Sequence, residues 1–244
     1  MLPAHGQQAP AFRVELLPFY HSLSNDYGHW SGATARLWYR SKRFTPVLDV
    51  SSQTRPEGSQ QSVGLSSYIV FNDRFYTIVG MSTAPFGEVE LMPRLRADAA
   101  AFFAIPSVPG LVLNIGVTEI KFDESDMQIA SLGSILYRGP LILSGVLRVN
   151  RDGVGGDLST SGNAGGQYGA ERKAWFGGGI GAGREAYQTI AVTRFDVRFT
   201  SLSAFGFTQV WATGSSGFTA RYDLERKLSA YTRHGFMLGY FVDF

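Results

Sequence analysis

Apolar and polar residues alternate along most of this chain, in runs of about ten residues. The first clear run, at 12–23, sets one apolar face against one polar face: Phe12, Val14, Leu16 and Tyr20 against Arg13, Glu15 and His21. Further runs with the same period include ATARLWYR, LVLNIGVT, LILSGVLRVN and FTARYDLER. Because the side chains of a strand point alternately to its two sides, this period predicts β-strands rather than helices.

Segments rich in Gly, Pro, Asn, Asp and Ser separate the runs and predict turns between antiparallel neighbours. They include ND at 72–73, PSVPG at 106–110, RGP at 138–140 and GSSG at 214–217. The segment 152–167, DGVGGDLSTSGNAGGQ, has few apolar residues, so we expect a long, flexible and solvent-exposed loop there. Counting the runs gives about fourteen strands, with twelve as the alternative because 168–214 can be divided differently.

Many alternating strands fit either a soluble barrel or sandwich with an apolar interior, or a membrane barrel with an apolar exterior. The polar faces favour the membrane barrel, because they carry Arg mixed with Asp and Glu and few Lys. Aromatic residues near the ends of the runs are typical of the girdles of a membrane barrel. These residues are Tyr20, Trp30, Tyr39, Tyr68, Phe71, Phe102, Phe103, Tyr137, Tyr168, Trp211 and Tyr231.

The last run, RHGFMLGYFVDF, carries an apolar residue at every second position and ends at Phe244. A membrane barrel needs such a strand at its end, because the first and last strands must pair to satisfy their backbone groups in lipid. The segment MLGYFVDF resembles the C-terminal assembly signal of bacterial outer-membrane barrels, carried here by Gly239, Val242 and Phe244. It departs from that signal at Met237, where a polar residue is usual. The resemblance implies the barrel-assembly machinery as a partner.

These patterns together predict an all-β fold, a closed up-and-down antiparallel transmembrane β-barrel in the bacterial outer membrane, surrounded by its lipid. We expect residues 11–244 to form this single domain and residues 1–10 to be disordered. The first ten residues lack the basic segment and apolar core of a secretion signal, so we expect the mature form of an exported protein with an added Met.

Composition agrees with a single barrel and excludes several other classes of protein. The chain has 244 residues, 29 Gly, no Cys and 14% aromatic residues. Charged residues make up only 17% of the chain, below the usual share of about 25%. Without Cys there is neither a disulfide framework nor a thiolate metal site. The formal net charge of +2 is too small to indicate nucleic acid as a partner.

The first hairpin, PFYHSLSNDYGHW at 18–30, the chain length and the closing strand together resemble the YaiO-type outer-membrane β-barrel family. The resemblance covers nearly the whole chain. It implies a barrel linked to envelope polysaccharide or exopolysaccharide systems, with polysaccharide and a periplasmic secretion partner as candidate partners.

The polar faces carry most of the candidate functional residues. If these faces point inward, they line the interior with an inferred anion path: Arg13, Arg36, Arg40, Arg94, Arg96, Arg148, Arg194, Arg198 and Arg221. They would face carboxylates that include Glu15, Asp49, Asp98, Asp196, Asp223 and Glu225. Two interpretations remain open. The arginines form ladders with these carboxylates that rigidify the wall, or they favour the passage of anions such as acidic saccharides.

Catalytic chemistry has weak support in the sequence. His21 and His234 lie on the first and last strands, so barrel closure could bring them together near the rim, close to Ser22, Ser24 and Asp26. A solvated rim pair explains them better, so we name no catalytic residue. DESD at 123–126 indicates an exposed acidic loop rather than a Ca²⁺ site, and GGGIGAG at 177–183 a Gly-rich strand rather than a nucleotide loop. We therefore expect no metal and no cofactor.

Three functions are compatible with these observations. The first is a non-enzymatic, porin-like barrel, a narrow pore or export component for charged saccharides or small solutes. The second is a non-conducting barrel that serves as a scaffold for a periplasmic secretion partner. The third is an outer-membrane hydrolase that modifies lipid or glycan.

Overall fold

A computed structural model describes residues 11–87, 89–123, 125–153, 156, 158–185, 199–228 and 230–244. The segment 1–10, for which we expected disorder, lies outside the described residues. No helix in the described part of the chain is long and apolar enough to span a membrane.

The described residues form fourteen strands, which confirms the predicted number. Each strand pairs antiparallel with its neighbours in sequence, and the first pairs with the last, so the sheet closes into a barrel. The strands are β1 (Phe12–Leu23), β2 (His29–Tyr39), β3 (Phe44–Arg55), β4 (Gly58–Asn72), β5 (Phe75–Gly87), β6 (Leu95–Ala104), β7 (Leu111–Lys121), β8 (Asp126–Arg138), β9 (Leu141–Asp152), β10 (Leu158–Ala170), β11 (Ala174–Glu185), β12 (Phe199–Trp211), β13 (Ser216–Lys227) and β14 (Tyr231–Asp243).

The barrel is apolar outside and polar inside, as predicted. In β1, Phe12, Val14 and Leu16 are 44%, 45% and 54% exposed, whereas Arg13 between them is 6% exposed. The same alternation continues in β7 and β9, where Ile115, Val117 and Leu147 face outward. A soluble barrel would bury these side chains, so the exterior is suited to hydrocarbon.

The closing seam joins β1 and β14 along most of their length. The register pairs Val14 with Val242 and Tyr20 with Phe236. The backbone of Phe244 continues this ladder, because its N–H donates to the carbonyl oxygen of Phe12 at 2.9 Å. A Cβ atom at Gly239 would lie 2.8 Å from Cγ2 of Thr219 and 2.9 Å from the backbone oxygen of Leu16, so glycine permits close packing at this seam.

The barrel has two ends, which we name by the position of the termini. The terminal end holds the start of β1, the end of β14 and the connections 40–43, 73–74, 105–110, 139–140, 171–173 and 212–215. The distal end holds the connections 24–28, 56–57, 88–94, 122–125, 153–157 and 228–230. Residues 186–198, between β11 and β12, lie outside the described residues.

The prediction of a flexible loop at 152–167 is wrong, because β10 occupies most of that segment. The strand pairs with β9 from Leu158 opposite Arg151 to Tyr168 opposite Leu141. Its outward glycines are covered by the neighbouring strand: a Cβ at Gly162 would lie 2.9 Å from Cδ2 of Leu147. The sequence of β10 shows no alternation of apolar and polar residues, because side chains of β9 provide the apolar surface over the outward glycines of β10.

The Gly-rich segment 177–183 lies within β11, as we predicted from its lack of a strand-then-helix context. Gly179 faces the interior, where a Cβ would approach the ring of Phe205 on β12 to 2.8 Å. Glycines in this strand therefore make room for the large rings of β12.

Aromatic residues near the strand ends divide between the two sides of the wall, so the predicted girdle is only partly correct. The outward residues are Tyr20, Tyr39, Phe71, Phe103 and Tyr168. By their register, the others of that set point inward: Trp30, Tyr68, Phe102, Tyr137, Trp211 and Tyr231. The position of these residues near a strand end follows from the sequence, whereas the side of the wall on which each lies follows from the alternation within its own strand.

Candidate functional site: the barrel interior

Alternating charges cross the closing seam on the inner wall. We call this row the seam ladder (Asp243, Arg13, Glu15, Arg36 and Asp49), which runs from β14 through β1 and β2 to β3. Arg13 lies 2.7 Å from Asp243 and 3.6 Å from Glu15. Arg36 lies 3.6 Å from Glu15 and 2.6 Å from Asp49. Arg13 and Arg36 therefore each bridge two carboxylates of the inner wall. This is the arginine–carboxylate ladder that the sequence left open beside the interpretation as an anion path.

Arg13 is the most constrained member of the seam ladder. Its Nε and Nη2 atoms donate to the two carboxylate oxygens of Asp243 at 2.7 and 2.9 Å. The guanidinium carbon lies 4.5 Å from the ring centroid of Phe241 and 5.4 Å from that of Trp211. Trp211 also donates from Nε1 to Asp243 at 3.3 Å. Bidentate pairing and ring contacts together fix the guanidinium group in one orientation.

Two further arginines pair with carboxylates on their own strands. Arg96 donates to both carboxylate oxygens of Asp98, at 2.8 and 2.9 Å, and Thr118 donates to the same carboxylate. Arg221 lies 2.6 Å from Asp223, and its guanidinium carbon lies 4.5 Å from the ring centroid of Phe205. These arginine side chains are 48% and 39% exposed, so solvent reaches them inside the barrel.

Arg40 and Arg148 also lie on the predicted side of the wall. Arg40 follows β2 at the terminal end and lies 3.3 Å from Glu171. Burial and the neighbouring Arg13 lower the pKa of Arg40. Arg148 on β9 donates to Oδ1 of Asn163 on β10 at 2.6 Å.

The remaining predicted arginines are not part of the described wall. Arg94 precedes β6 at the distal end, is exposed and lies 2.7 Å from Asp123. The prediction that Arg94 lies on the interior wall is therefore wrong. The pairing of β6 with β7 begins only at Leu95, which leaves Arg94 in the connection. Arg194 and Arg198, with Asp196, lie outside the described residues.

Five rings form an interior aromatic cluster (Trp38, Tyr68, Tyr76, Phe102 and Tyr137) next to the terminal end. Trp38 and Tyr68 stack with centroids 6.4 Å apart, and Tyr76 and Phe102 stack with centroids 4.5 Å apart. The phenol group of Tyr137 lies next to that of Tyr76. Sequence reasoning missed this cluster. Continuing the alternation of β4 and β8 would have shown the inward side of Tyr68 and Tyr137.

The seam ladder and the interior aromatic cluster meet at β2. The guanidinium carbon of Arg36 lies 5.7 Å from the ring centroid of Trp38. One continuous part of the inner wall, from β14 across the closing seam to β1 and on to β8, therefore combines charged groups, phenol hydroxyls and ring faces.

Near the distal end, four buried residues form a distal cluster (Leu23, Trp30, Ala230 and Tyr231). Trp30 and Tyr231 are 3% and 2% exposed. The guanidinium carbons of Arg55 and Arg233 lie 4.0 and 5.6 Å from the Trp30 ring centroid. Arg233 also lies 2.6 Å from Glu225. This cluster fills the interior beside β1, β2 and β14 and narrows the barrel there.

The histidine pair suggested by barrel closure does not form. His21 lies opposite Gly235, and His234 opposite Ser22, so the two rings point to opposite sides of the wall. His21 faces inward beside Trp30, whereas His234 faces outward and its Nδ1 lies 2.8 Å from the hydroxyl oxygen of Tyr222. Two residues on neighbouring strands can lie at nearly the same height of the barrel. If they are one position away from being paired in the register, their side chains point to opposite sides of the wall.

Comparison with solved structures shows barrels of similar fold. A "CymD monoaromatic hydrocarbon channel" has a TM-score of 0.62 and 8% identity, over 98% of this chain and 90% of that one. A "Bacterial polysaccharide outer membrane secretin" has a TM-score of 0.58 and 10% identity, over 98% and 100%. The COG4313 outer membrane channel from Pseudomonas putida F1 has a TM-score of 0.55 and 11% identity, over all of both chains.

Among curated proteins, nothing matches this sequence. The sequence model of the YaiO membrane beta barrel domain matches residues 12–188, which is most of the chain. That match agrees with the fourteen-strand barrel and its apolar exterior. The chain therefore belongs to the YaiO membrane beta barrel domain family, and its place is the bacterial outer membrane.

Proposed function

We propose that this barrel is a narrow, non-enzymatic pore or export component for charged saccharides or small polar solutes in an envelope or exopolysaccharide system. The observation that carries the proposal is the junction of the seam ladder with the interior aromatic cluster at Arg36 and Trp38. Sugar rings present C–H faces that pack on aromatic rings and hydroxyl groups that bond to charged and phenolic groups. One wall that offers both suits a saccharide better than an apolar solute.

The size of the barrel supports a narrow passage. Barrels of about 8 strands are filled by side chains, whereas barrels of about 16–18 strands leave an aqueous channel. Fourteen strands lie between these limits. The distal cluster and the interior aromatic cluster both reduce the remaining space, so we expect small single-channel conductance.

The charges of the wall support weak rather than strong preference for anions. Arg36, Arg96 and Arg221 keep 32%, 48% and 39% of their side chains exposed while each is held by a carboxylate. A paired arginine still presents N–H donors to a passing acidic sugar, but its partner lowers the net field. The inferred anion path is therefore a row of fixed donors rather than an unpaired cationic ring.

The neighbouring folds have names compatible with this proposal. One of them is a polysaccharide outer membrane secretin and another is an outer membrane channel. Outer-membrane barrels carry their short turns on the periplasmic side. The terminal end, with connections such as 73–74 and 139–140, is then the periplasmic entrance, and it is the end next to the interior aromatic cluster.

Planar-bilayer recordings test the proposal. We expect a small conductance in KCl, a reversal potential that shows weak anion preference, and partial block by oligogalacturonate added at the terminal end. The R36Q/R96Q/R221Q variant should shift the reversal potential toward cations and weaken the block about tenfold. Absence of any conductance in a folded, inserted barrel would reject the pore and favour a scaffold for a periplasmic secretion partner.

A matched control removes the same charge elsewhere. Arg43, Arg74 and Arg138 lie in or next to turns at the terminal end. The R43Q/R74Q/R138Q variant should keep the reversal potential and the block of the unmodified protein. Equal shifts in both variants would show that net charge, and not the inner wall, sets selectivity.

A further inference from the structure

Three arginines lie on the outer side of the wall at the distal end, on alternate strands. Arg151, Arg184 and Arg226 occupy outward positions near the distal ends of β9, β11 and β13. All three are exposed. Since neighbouring strands lie about 4.8 Å apart, successive members are separated by roughly 10 Å around the barrel.

These arginines stand at the edge of the apolar band. Arg151 pairs across the sheet with Leu158, which is 68% exposed, and Arg226 pairs with Leu202, which is 48% exposed. Val149, two residues before Arg151 on the same face, is 45% exposed. The three cations therefore begin where the apolar exterior ends, which is the level of the lipid headgroups.

The side chains of these three arginines are not held by any other side chain that the structure describes. In the ranges that the structure describes, none of them makes a side-chain hydrogen bond or an ion pair, in contrast to Arg13, which is held by Asp243. The described outward positions of β9 through β13 also include no Asp or Glu. Within the described residues, this part of the exterior therefore presents guanidinium groups to the membrane without an outward-facing carboxylate beside them.

From this placement we infer that Arg151, Arg184 and Arg226 form a binding surface for phosphorylated lipid headgroups of the outer leaflet. A guanidinium group pairs with a phosphate through two parallel hydrogen bonds, which makes Arg suited to this ligand. The acyl chains of the same lipid would lie against Leu158 and Leu202, which pair with Arg151 and Arg226, and against Val149 on the same face. The inference concerns the outer side of the wall and does not depend on the proposed pore.

Native mass spectrometry of the detergent-solubilised, folded barrel tests this inference. The probes are bisphosphorylated lipid A and the same lipid A with both phosphates removed. We expect the unmodified protein to bind the bisphosphorylated lipid at least about tenfold more tightly. Equal binding of the two lipids would overturn the inference without the need for any variant.

A substitution locates the site. The R151Q/R184Q/R226Q variant should bind bisphosphorylated lipid A at least about tenfold more weakly and keep its weak binding of the dephosphorylated lipid. Unchanged affinity would overturn the inference. Folding of the variant is checked by the shift of its band on unheated gels.

The control is the R43Q/R74Q/R138Q variant, which loses the same charge at the terminal end. It should retain affinity for bisphosphorylated lipid A within about twofold. If it loses as much affinity as the distal variant, general charge attracts the lipid and the three arginines form no site.

Discussion

Arg13 and Asp243 are 230 positions apart in sequence and form a two-point ion pair inside the barrel, with Nε and Nη2 of Arg13 at 2.7 and 2.9 Å from the two oxygens of Asp243. The pair joins β1 to β14 and therefore stabilises the closing seam on the inner side of the barrel. Its side chains are 7% and 2% exposed, so water screens the pair weakly.

We predict that Asp243→Asn destabilises the barrel by about 3 kcal/mol, because the buried Arg13 guanidinium loses its two-point carboxylate partner and keeps only Glu15, at 3.6 Å. The measurement is the free energy of unfolding in lipid vesicles, followed by Trp fluorescence in urea. The control is Asp123→Asn, which removes the carboxylate of the exposed pair with Arg94 and should cost less than about 1 kcal/mol. Equal effects of the two substitutions would contradict the role of the seam pair.

Gly239→Ala should destabilise the closing seam by about 1–3 kcal/mol, because the new methyl group meets Thr219 and the backbone of Leu16 at less than van der Waals distance. Gly145→Ala is the matched control, since a Cβ there meets only the backbone oxygen of Asn163, at 3.8 Å. Folding of both variants into vesicles without assembly machinery is measured by the gel shift. If Gly239→Ala folds normally in vesicles but fails to assemble in cells, the glycine acts through the assembly signal instead.

Removal of the stacked pair Trp38 and Tyr68 should widen the passage. We predict that the W38A/Y68A variant has a larger single-channel conductance and a several-fold weaker block by oligogalacturonate, because a ring platform is lost from the inner wall. Tyr168→Ala is the control: Tyr168 is 60% exposed on the outer side and should leave both quantities unchanged. A variant with unchanged conductance and block would show that the pathway avoids the cluster.

The strand character of β10 can be tested by single cysteines, since the chain has no Cys of its own. Asn163→Cys and Gln167→Cys should react with a charged thiol reagent through the aqueous interior. Ala164→Cys and Gly166→Cys should be protected by lipid, because they point outward. A flexible loop at 152–167 would make all four positions reactive at similar rates.

The alternation of Phe12, Val14 and Leu16 with Arg13 and Glu15 predicted the strand. The composition of the polar faces, the aromatic residues at the ends of the runs and the closing strand then predicted which side meets lipid. In β10 the same rule failed. Its outward positions include Gly162 and Gly166, and their apolar cover comes from Leu147 and Leu143 on β9. A pattern read along one strand contains no information about side chains that a neighbouring strand contributes.

Among the candidate functional residues, too, the sequence predicted some positions correctly and not others. The sequence placed Arg13, Arg36 and Arg221 on the interior wall, because the side on which a residue lies depends only on its position within its own strand. It suggested that His21 and His234 meet, since both lie near the seam. The register, shifted by one residue, turns the two rings to opposite sides.

By itself, the sequence determined the class of fold, the approximate number of strands and the inside-out distribution of apolar and charged residues, because these follow from local alternation and from the need to satisfy every backbone group in lipid. Only the tertiary structure decided which carboxylate holds each of the paired arginines, which rings cluster inside and which arginines lie apart from any other described side chain. Those outcomes depend on the register between strands and on closure of the sheet, which bring together residues as far apart as Arg13 and Asp243.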